Sequence, residues 1–195
     1  MPADAAEIGG MERLLASAPP ESAAMLVAAH DIATRAHAGQ LRRGGAPYIG
    51  HPVEVALILR DQLGVSADEV IAAALLHDAV EDSELHLEDL AGFSARTREL
   101  VALLTDWEPR MSPARRREHL GEIWKDPDAT LLKAADRLSN LRDVALMPSA
   151  DARQRYVDRT RAEFLGTGLP LASHPLVTPL LERALQETLE GPALA

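Results

Sequence analysis

The sequence predicts an all-α fold, and three observations lead to that prediction. Apolar residues recur with helical spacing along much of the chain, residues 21–38 being a clear example. No stretch shows the alternation of apolar and polar residues that is typical of a half-buried β-strand. Apolar residues make up 47% of the chain but aromatic residues only 3%, which favours aliphatic helices over aromatic-rich sheets. We therefore expect a single helical bundle of about eight to ten helices.

The N-terminal third contains an arm, two helices and a loop. Residues 1–20 are rich in Ala, Pro and Glu and are interpreted as a short helix or flexible arm, while residues 21–195 are interpreted as one domain. Four glycines and Pro47 predict a loop over residues 39–50. Pro52 then opens a helix, at an early position where a missing N–H does no harm.

The next helix carries the most informative residues. Ser66 and Glu69 have the spacing of a capping box, which predicts a helix that runs through the apolar run Ile71–Leu76 to Asp82. A short segment follows at residues 87–91. The remaining helices are predicted at residues 94–105, 112–124, 127–147, 150–165 and 175–190.

Composition narrows the function classes. The net charge of −10 argues against non-specific binding to nucleic acid, which depends on basic contacts to phosphates. The absence of cysteine excludes disulfides and thiolate metal sites and fits a reducing cytosol, so we expect a cytoplasmic protein. The first residues do not have the pattern of a signal peptide, and no apolar run approaches the roughly 20 residues of a membrane span. We therefore expect neither a nucleic acid nor a membrane as partner.

The pair His77-Asp78 is the strongest functional signal, because it directly follows an apolar run. Polar groups at the end of a core-facing segment are costly unless they are paired or bind a metal. Together with His51 and Asp136 they would provide two nitrogen and two oxygen ligands, a set suited to manganese, iron, cobalt or zinc. The sequence therefore predicts a metal-dependent hydrolase.

Helical spacing places further polar groups beside these ligands. Glu81 lies four residues after His77, and Asp82 lies four residues after Asp78, so on a helix they would share a face. A second polar stripe is predicted on a later helix, where Asp136, Asn140 and Asp143 follow Lys133 at helical intervals.

Simpler explanations exist for such residues. An isolated His-Asp pair is usually a surface ion pair or a helix cap, and His30-Asp31 is interpreted in that way. His37 is interpreted as a buried histidine with a hydrogen-bond partner. His77-Asp78 differs because two further carboxylates follow it and because His51 and Asp136 lie on other elements.

Four linked motifs resemble the HD-domain hydrolases of the Rel/Spo alarmone family. Their order and gaps are similar over roughly residues 25–165, and the chain is too short to hold the synthetase domain of the bifunctional members. It therefore looks like the stand-alone small alarmone hydrolases related to the metazoan SpoT homologue, with an HD-type helical bundle as the expected fold. The motifs are Ala36–Arg43, Pro47–Pro52, Ala73–Asp82 and Lys133–Arg142.

The resemblance implies a reaction and a cofactor. In the family, the positions matching His51, His77, Asp78 and Asp136 hold Mn²⁺, and those matching Glu81 and Asp82 act on the attacking water. The implied reaction is hydrolysis of the 3′-diphosphate of guanosine tetra- or pentaphosphate, (p)ppGpp, to pyrophosphate and GDP or GTP. Such an enzyme would end or tune the stringent response.

The resemblance also implies substrate contacts. Arg42 and Arg43 match a basic pair beside the nucleotide, and their guanidinium groups suit either a base or a phosphate. Tyr48 could contact the ribose or belong to the core, and Arg137 could contact substrate or form a structural ion pair. The remaining candidates are Asn140 near the sugar and, for the diphosphate, Arg155 and Tyr156.

Two other functions remain open from the sequence. The first is hydrolysis of another nucleotide, such as NADPH or a nucleoside phosphate, because one fold hosts many chemistries. The second is a regulator that senses alarmone without cleaving it. The complete set of predicted metal ligands, followed by Glu81 and Asp82, counts against the regulator.

Overall fold

The computed structural model describes residues 5–16, 18–108, 111–172 and 174–190. Within these ranges the chain forms nine α-helices and no β-strand, which confirms the all-α prediction. A π-helical turn, Ile58–Gln62, continues the third helix, and a 3₁₀ turn, Leu87–Leu90, follows the fourth. The helices are α1 (Ala5–Ala16), α2 (Pro20–Ala36), α3 (Gly50–Leu57), α4 (Asp68–Leu76), α5 (Ala95–Leu104), α6 (Pro113–Ile123), α7 (Pro127–Val144), α8 (Ala150–Phe164) and α9 (Val177–Glu190).

The chain divides into two compact units, Met1–Met111 and Ser112–Ala195. Helices α1 to α5 belong to the first unit, and α6 to α9 belong to the second. The interpretation of residues 21–195 as one domain stays a prediction.

Helix α4 forms the buried centre of the first unit. Every side chain from Val70 to Leu76 is buried, and α2, α3 and α5 pack around the helix. Three consecutive alanines, Ala72–Ala74, keep the side chains at these contacts small, so neighbouring helices can approach closely. His77, the residue that follows α4, is therefore attached directly to the buried centre of this unit.

Both predicted ends of this helix were wrong. Helix α4 begins at Asp68 after Ala67, whose side chain makes no cap hydrogen bond, so the capping box of Ser66 and Glu69 does not form. The helix ends at Leu76 rather than at Asp82, because the chain tightens there: Ala79 N–H donates to the carbonyl of Leu76, three residues back. Residues 77–82 form turns instead of a helical face.

Part of the stretch interpreted as an arm is helical. Helix α1 packs against α3, and Leu14 is fully buried. Its carbonyl accepts a hydrogen bond of 2.9 Å from Arg60. A Cβ on Gly10 would lie 2.6 Å from Cγ1 of Val53, so the contact between the helices requires a glycine at this position. The N-terminal helix is therefore joined to the segment that begins with α3.

Helix α7 occupies the corresponding position in the second unit. It packs against α6, α8 and α9, and most of its side chains are buried. Asp126 caps its start by accepting hydrogen bonds from the N–H groups of Asp128 and Ala129, both at 3.0 Å. Although α7 has 18 residues, it carries several charges, and nowhere in the described ranges is a helix both long and apolar enough to cross a membrane.

Candidate metal centre and active site

The structure brings His51, His77 and Asp78 together in the first unit. Their ligand atoms all lie within 4.8 Å of one another. Oδ2 of Asp78 is 3.2 Å from Nε2 of His77 and 3.4 Å from Nε2 of His51. Both imidazoles are almost completely buried, with exposed fractions of 1% and 2%, whereas the side chain of Asp78 retains 18% exposure. The cluster is therefore formed by core residues and reaches the surface through its carboxylate.

Two helices fix the imidazoles. His51 is the second residue of α3, and His77 directly follows α4. Nδ1 of His77 lies 2.8 Å from the carbonyl of Ala74, which can only accept a hydrogen bond, so the proton belongs on Nδ1. Nε2 of a neutral His77 then presents its lone pair to Asp78, which is the orientation that a metal-binding histidine needs.

The electrostatics of Asp78 fit a cation site. Burial by itself would raise the pKa of this carboxyl, but the imidazoles of His77 and His51 outweigh it and hold the pKa well below its ordinary value. Because Nδ1 of His77 already carries a proton, its Nε2 can face the carboxylate oxygen favourably only with a second proton, which makes the ring cationic, or with a bound metal. Two imidazoles and one carboxylate suit manganese, iron, cobalt or zinc. The residues present therefore fit a divalent metal.

Asp136, the fourth predicted ligand, lies on α7 in the second unit. It is 7% exposed, and its Oδ1 accepts a hydrogen bond of 2.5 Å from the amide of Asn140. Oδ2 lies 3.2 Å from the ammonium group of Lys133. The predicted polar stripe of α7 therefore exists as an internal network, and the metal-binding role of Asp136 stays a prediction.

Glu81 and Asp82 follow the cluster on the turns after α4. The carboxylate of Glu81 is exposed and accepts a 2.9 Å hydrogen bond from the N–H of Asp106. Partial burial, followed by the negative charge of Asp78, raises the pKa of Asp82. Two carboxylates near the cluster with different surroundings are what a proton-accepting pair requires.

The loop between α2 and α3 carries the predicted basic pair. A short bridge between Leu41 and Pro47 closes it, and Gly45, at a φ of 84°, supplies the turn. Arg42 donates a 2.9 Å hydrogen bond to Glu54 on α3, whereas Arg43 is exposed. The pair predicted from the sequence is thus divided between one arginine held against the fold and one facing solvent.

In the second unit, Arg137 is a buried residue with several partners. Its guanidinium lies 4.9 Å from the ring centre of Tyr156 and 4.7 Å from that of Phe164. It donates to Thr160 at 3.1 Å and lies 3.5 Å from a carboxylate oxygen of Glu163. Two roles were considered for Arg137, and these contacts are those expected of a residue in a structural ion pair.

The two predicted diphosphate contacts, Arg155 and Tyr156, lie on α8. Arg155 and Tyr156 line a shallow cavity of about 380 Å³ together with Met147, Ala152 and Arg159. The guanidinium of Arg159 lies 5.3 Å from the ring centre of Tyr156. Their role as substrate contacts stays a prediction.

Comparison with known proteins identifies the family. The sequence pattern of the HD domain matches residues 29–164, which is more than two thirds of the chain. The chain belongs to the HD-domain family. The matched segment contains all thirteen predicted site residues, from Arg42 to Tyr156.

Relatives of this HD domain have alarmone chemistry in their names. The guanosine-3′,5′-bis(diphosphate) 3′-pyrophosphohydrolase MESH1 of Homo sapiens is 41% identical over 126 residues, which cover 63% of this chain and 70% of the relative. A probable GTP pyrophosphokinase of Mycobacterium leprae is 35% identical over 136 residues, which cover 67% of this chain but 17% of that much longer protein. A solved structure described as a metazoan ortholog of SpoT that hydrolyses ppGpp has a TM-score of 0.74 and 25% identity, and the match covers 88% of this chain and 97% of that one. The predicted resemblance is confirmed.

Sequence reasoning missed one residue of this HD domain. Gln40 lies inside the first motif, but its motif position gave no indication of a partner. In the structure its side-chain N–H donates to the carbonyl of Asp82 at 2.8 Å, and its side-chain oxygen lies 2.8 Å from Nδ1 of His37. His37 is buried and has a partner, as expected. Only the folded chain shows that residues 40 and 82 meet.

Proposed function

We propose that this chain is a metal-dependent 3′-pyrophosphohydrolase of (p)ppGpp, releasing pyrophosphate and GDP or GTP. The observation that carries the proposal is the meeting of His51, His77 and Asp78 next to the acidic pair that follows them. The names of the relatives supply the substrate class. The reaction would end or tune a stringent response, and the cytosolic setting expected from the cysteine-free sequence is part of the proposal.

The proposed metal is Mn²⁺, held by His51, His77 and Asp78 with Asp136 as the fourth ligand. A divalent metal lowers the pKa of a bound water and stabilises negative charge on phosphoryl oxygens. This ligand set consists of nitrogen and oxygen donors and contains no sulfur, which is consistent with manganese.

Glu81 and Asp82 are the proposed catalytic residues. One of these carboxylates accepts the proton of the attacking water, and the other holds that water by a hydrogen bond. In the metal-free protein, burial and the negative charge of Asp78 raise the pKa of Asp82, which is the direction expected of a carboxylate that accepts a proton. The hydrogen bond from Asp106 to Glu81 fixes the direction of the second carboxylate.

Basic and polar residues are proposed to bind the nucleotide. Arg43 is exposed and can stack on a base or bind a phosphate, while Arg42 keeps its ion pair with Glu54 and supplies charge from a fixed position. The further proposed contacts are Asn140 near the sugar and Arg155 and Tyr156 at the diphosphate, and the guanidinium of Arg137 supports the ring of Tyr156.

The decisive experiment measures pyrophosphate released from guanosine 3′,5′-bis(diphosphate). The protein is stripped of metal with a chelator, assayed, and assayed again after Mn²⁺ is restored, with the Asp78→Ala variant as the matched control. Release of pyrophosphate and GDP that depends on Mn²⁺ and on Asp78 is the expected result.

The opposite result is equally informative. If Mn²⁺ binds but no pyrophosphate is released, the alarmone substrate is rejected. Release of phosphate from NADPH under the same conditions would then assign the site to another nucleotide.

A further inference from the structure

Tyr48 makes a hydrogen bond that neither of the roles considered for it includes. Its hydroxyl lies 2.7 Å from Oδ2 of Asp78. This is the same oxygen that lies 3.2 and 3.4 Å from the imidazole nitrogens of His77 and His51. An ionised carboxylate can only accept hydrogen bonds, so the hydroxyl is the donor. The proton of Tyr48 is therefore directed at the metal cluster.

The ring of Tyr48 is fixed as firmly as its hydroxyl. It packs between two imidazoles, with its centre 4.7 Å from that of His37 and 5.4 Å from that of His51. The backbone N–H of Tyr48 donates to the carbonyl of Gln40 at 3.0 Å, and the backbone carbonyl of Tyr48 accepts from the N–H of His51 at 2.8 Å. These contacts leave the side chain little freedom, which suits a residue that orients another group.

Gln40 connects the same loop to the backbone of Asp82, one of the two proposed catalytic residues. Its side-chain amide donates to the backbone carbonyl of Asp82, and His37 holds the other end of the amide. The backbone of Asp82 is also tied to Asp78, because its N–H donates to the carbonyl of Asp78 at 2.9 Å. The loop between α2 and α3 thus contacts the turn 77–82 at two points, one at a predicted metal ligand and one at a predicted proton acceptor.

We propose that Tyr48 and Gln40 are positioning residues, Tyr48 orienting the carboxylate of Asp78 for the metal and Gln40 holding the turn that carries Asp82. Tyr48 then acts through Asp78 and makes no contact with the substrate. The proposal deepens the proposed function and rests on its metal site, but not on the identity of the nucleotide. Outer hydrogen bonds of this kind typically change metal affinity or activity by about 10- to 100-fold when they are removed.

The test for Tyr48 is the affinity for Mn²⁺, measured by titration calorimetry on protein without nucleotide. Tyr48→Phe removes the hydroxyl and keeps the ring between the two imidazoles. We expect its dissociation constant for Mn²⁺ to rise by about 10- to 100-fold, and its KM for nucleotide at saturating Mn²⁺ to stay within about twofold of the parent. The matched control is Tyr156→Phe, the same change at the other tyrosine of the chain, which should leave the dissociation constant for Mn²⁺ unchanged.

The reverse pattern would overturn this part of the proposal. A Tyr48→Phe variant with unchanged Mn²⁺ affinity and a raised KM would make Tyr48 a substrate contact. Because Mn²⁺ binding is measured without turnover, weakened binding in a protein that does not hydrolyse (p)ppGpp would support Tyr48 and reject only the proposed substrate.

The test for Gln40 separates turnover from binding. Gln40→Met keeps the length of the side chain but removes the bond to Asp82, so we expect kcat to fall by roughly tenfold with KM and Mn²⁺ affinity unchanged. A merely structural role would lower the midpoint of thermal unfolding and the Mn²⁺ affinity together. An unchanged kcat, or a loss of metal binding equal to the loss of kcat, would overturn the role proposed for Gln40.

Discussion

Asp78 and Asp136 were both predicted to bind the metal, yet the structure gives them different surroundings. The partners of Asp78 are the imidazoles of His51 and His77 and the hydroxyl of Tyr48, and none of these carries a permanent charge. The partners of Asp136 include the ammonium group of Lys133 and the amide of Asn140.

The difference shows how far each carboxylate depends on an added cation. Lys133 already balances the charge of Asp136, so a metal has to share this carboxylate or displace the ammonium group from it. Asp78 can obtain a neighbouring positive charge only from protons on the imidazoles or from a metal. Asp78 is therefore expected to be essential for metal binding, whereas changes at Asp136 are expected to alter the metal affinity without abolishing it.

Asp78→Ala should have the largest effect. The change removes the carboxylate that both imidazoles face, and we expect metal binding and turnover to be lost together, with hydrolysis at the background rate. Metal content by mass spectrometry and pyrophosphate release are measured on the same preparation. Retained hydrolysis in this variant would remove Asp78 from the metal site and abolish the contrast with Asp136.

Glu81→Gln should separate chemistry from metal binding. The amide oxygen of glutamine can still accept the hydrogen bond from Asp106, so the turn is preserved while the proton acceptor is lost. We expect a fall in kcat of roughly 10²- to 10⁴-fold with the Mn²⁺ content unchanged. If the metal content fell as well, Glu81 would support the site structurally and would resemble Asp78 in its role.

The sequence predicted the cluster better than the turns that shape it. The apolar run Ile71–Leu76 predicted a buried helix at α4. The pair His77-Asp78 directly after it predicted a cation site, because buried polar groups are costly unless they are paired or bind a metal. The end of α4 at Leu76 was not predictable, because helical spacing does not show where the chain changes to the tighter turn at Ala79.

Long-range partners were the other part that sequence patterns could not supply. Arg42 binds Glu54, which lies 12 positions later in the chain. Gln40 binds the carbonyl of Asp82, which lies 42 positions later. Helical spacing identifies neighbours three or four residues away and leaves such pairs undetermined. The pairing of Lys133 with Asp136, three residues apart, is the kind that spacing does predict.

Variants of α7 test whether Asp136 binds the metal at all. Asp136→Asn removes its charge, and we expect the dissociation constant for Mn²⁺ to rise by about tenfold, a smaller effect than that of Asp78→Ala. Lys133→Met removes the competing cation and should tighten Mn²⁺ binding by about two- to fivefold. Calorimetric titration of both variants checks the pair. If neither variant changes the affinity, Asp136 is a structural residue of α7.

The smallest expected effect compares Asp78 with Asp82 in the metal-free protein. The pKa of Asp82 is raised, so its ionisation is harder in the folded than in the unfolded chain. Its contribution to stability therefore falls as the pH rises from the unfolded value near 3.8 through the raised pKa, and stays low above it.

Asp82→Asn should consequently raise the Tm at pH 7, and the gain should vanish as the pH falls below about 4. We expect less than about 2 °C, because the carboxyl is partly exposed and screened by solvent. Asp78→Asn should do the opposite, since the lowered pKa of Asp78 stabilises the fold at pH 7 and that stabilisation is lost only as the pH falls through the lowered value. Thermal unfolding followed by circular dichroism, in chelator and at several pH values, measures both. A lower Tm for Asp82→Asn at pH 7 would mean that the carboxylate of Asp82 is stabilised in the fold, as that of Asp78 is.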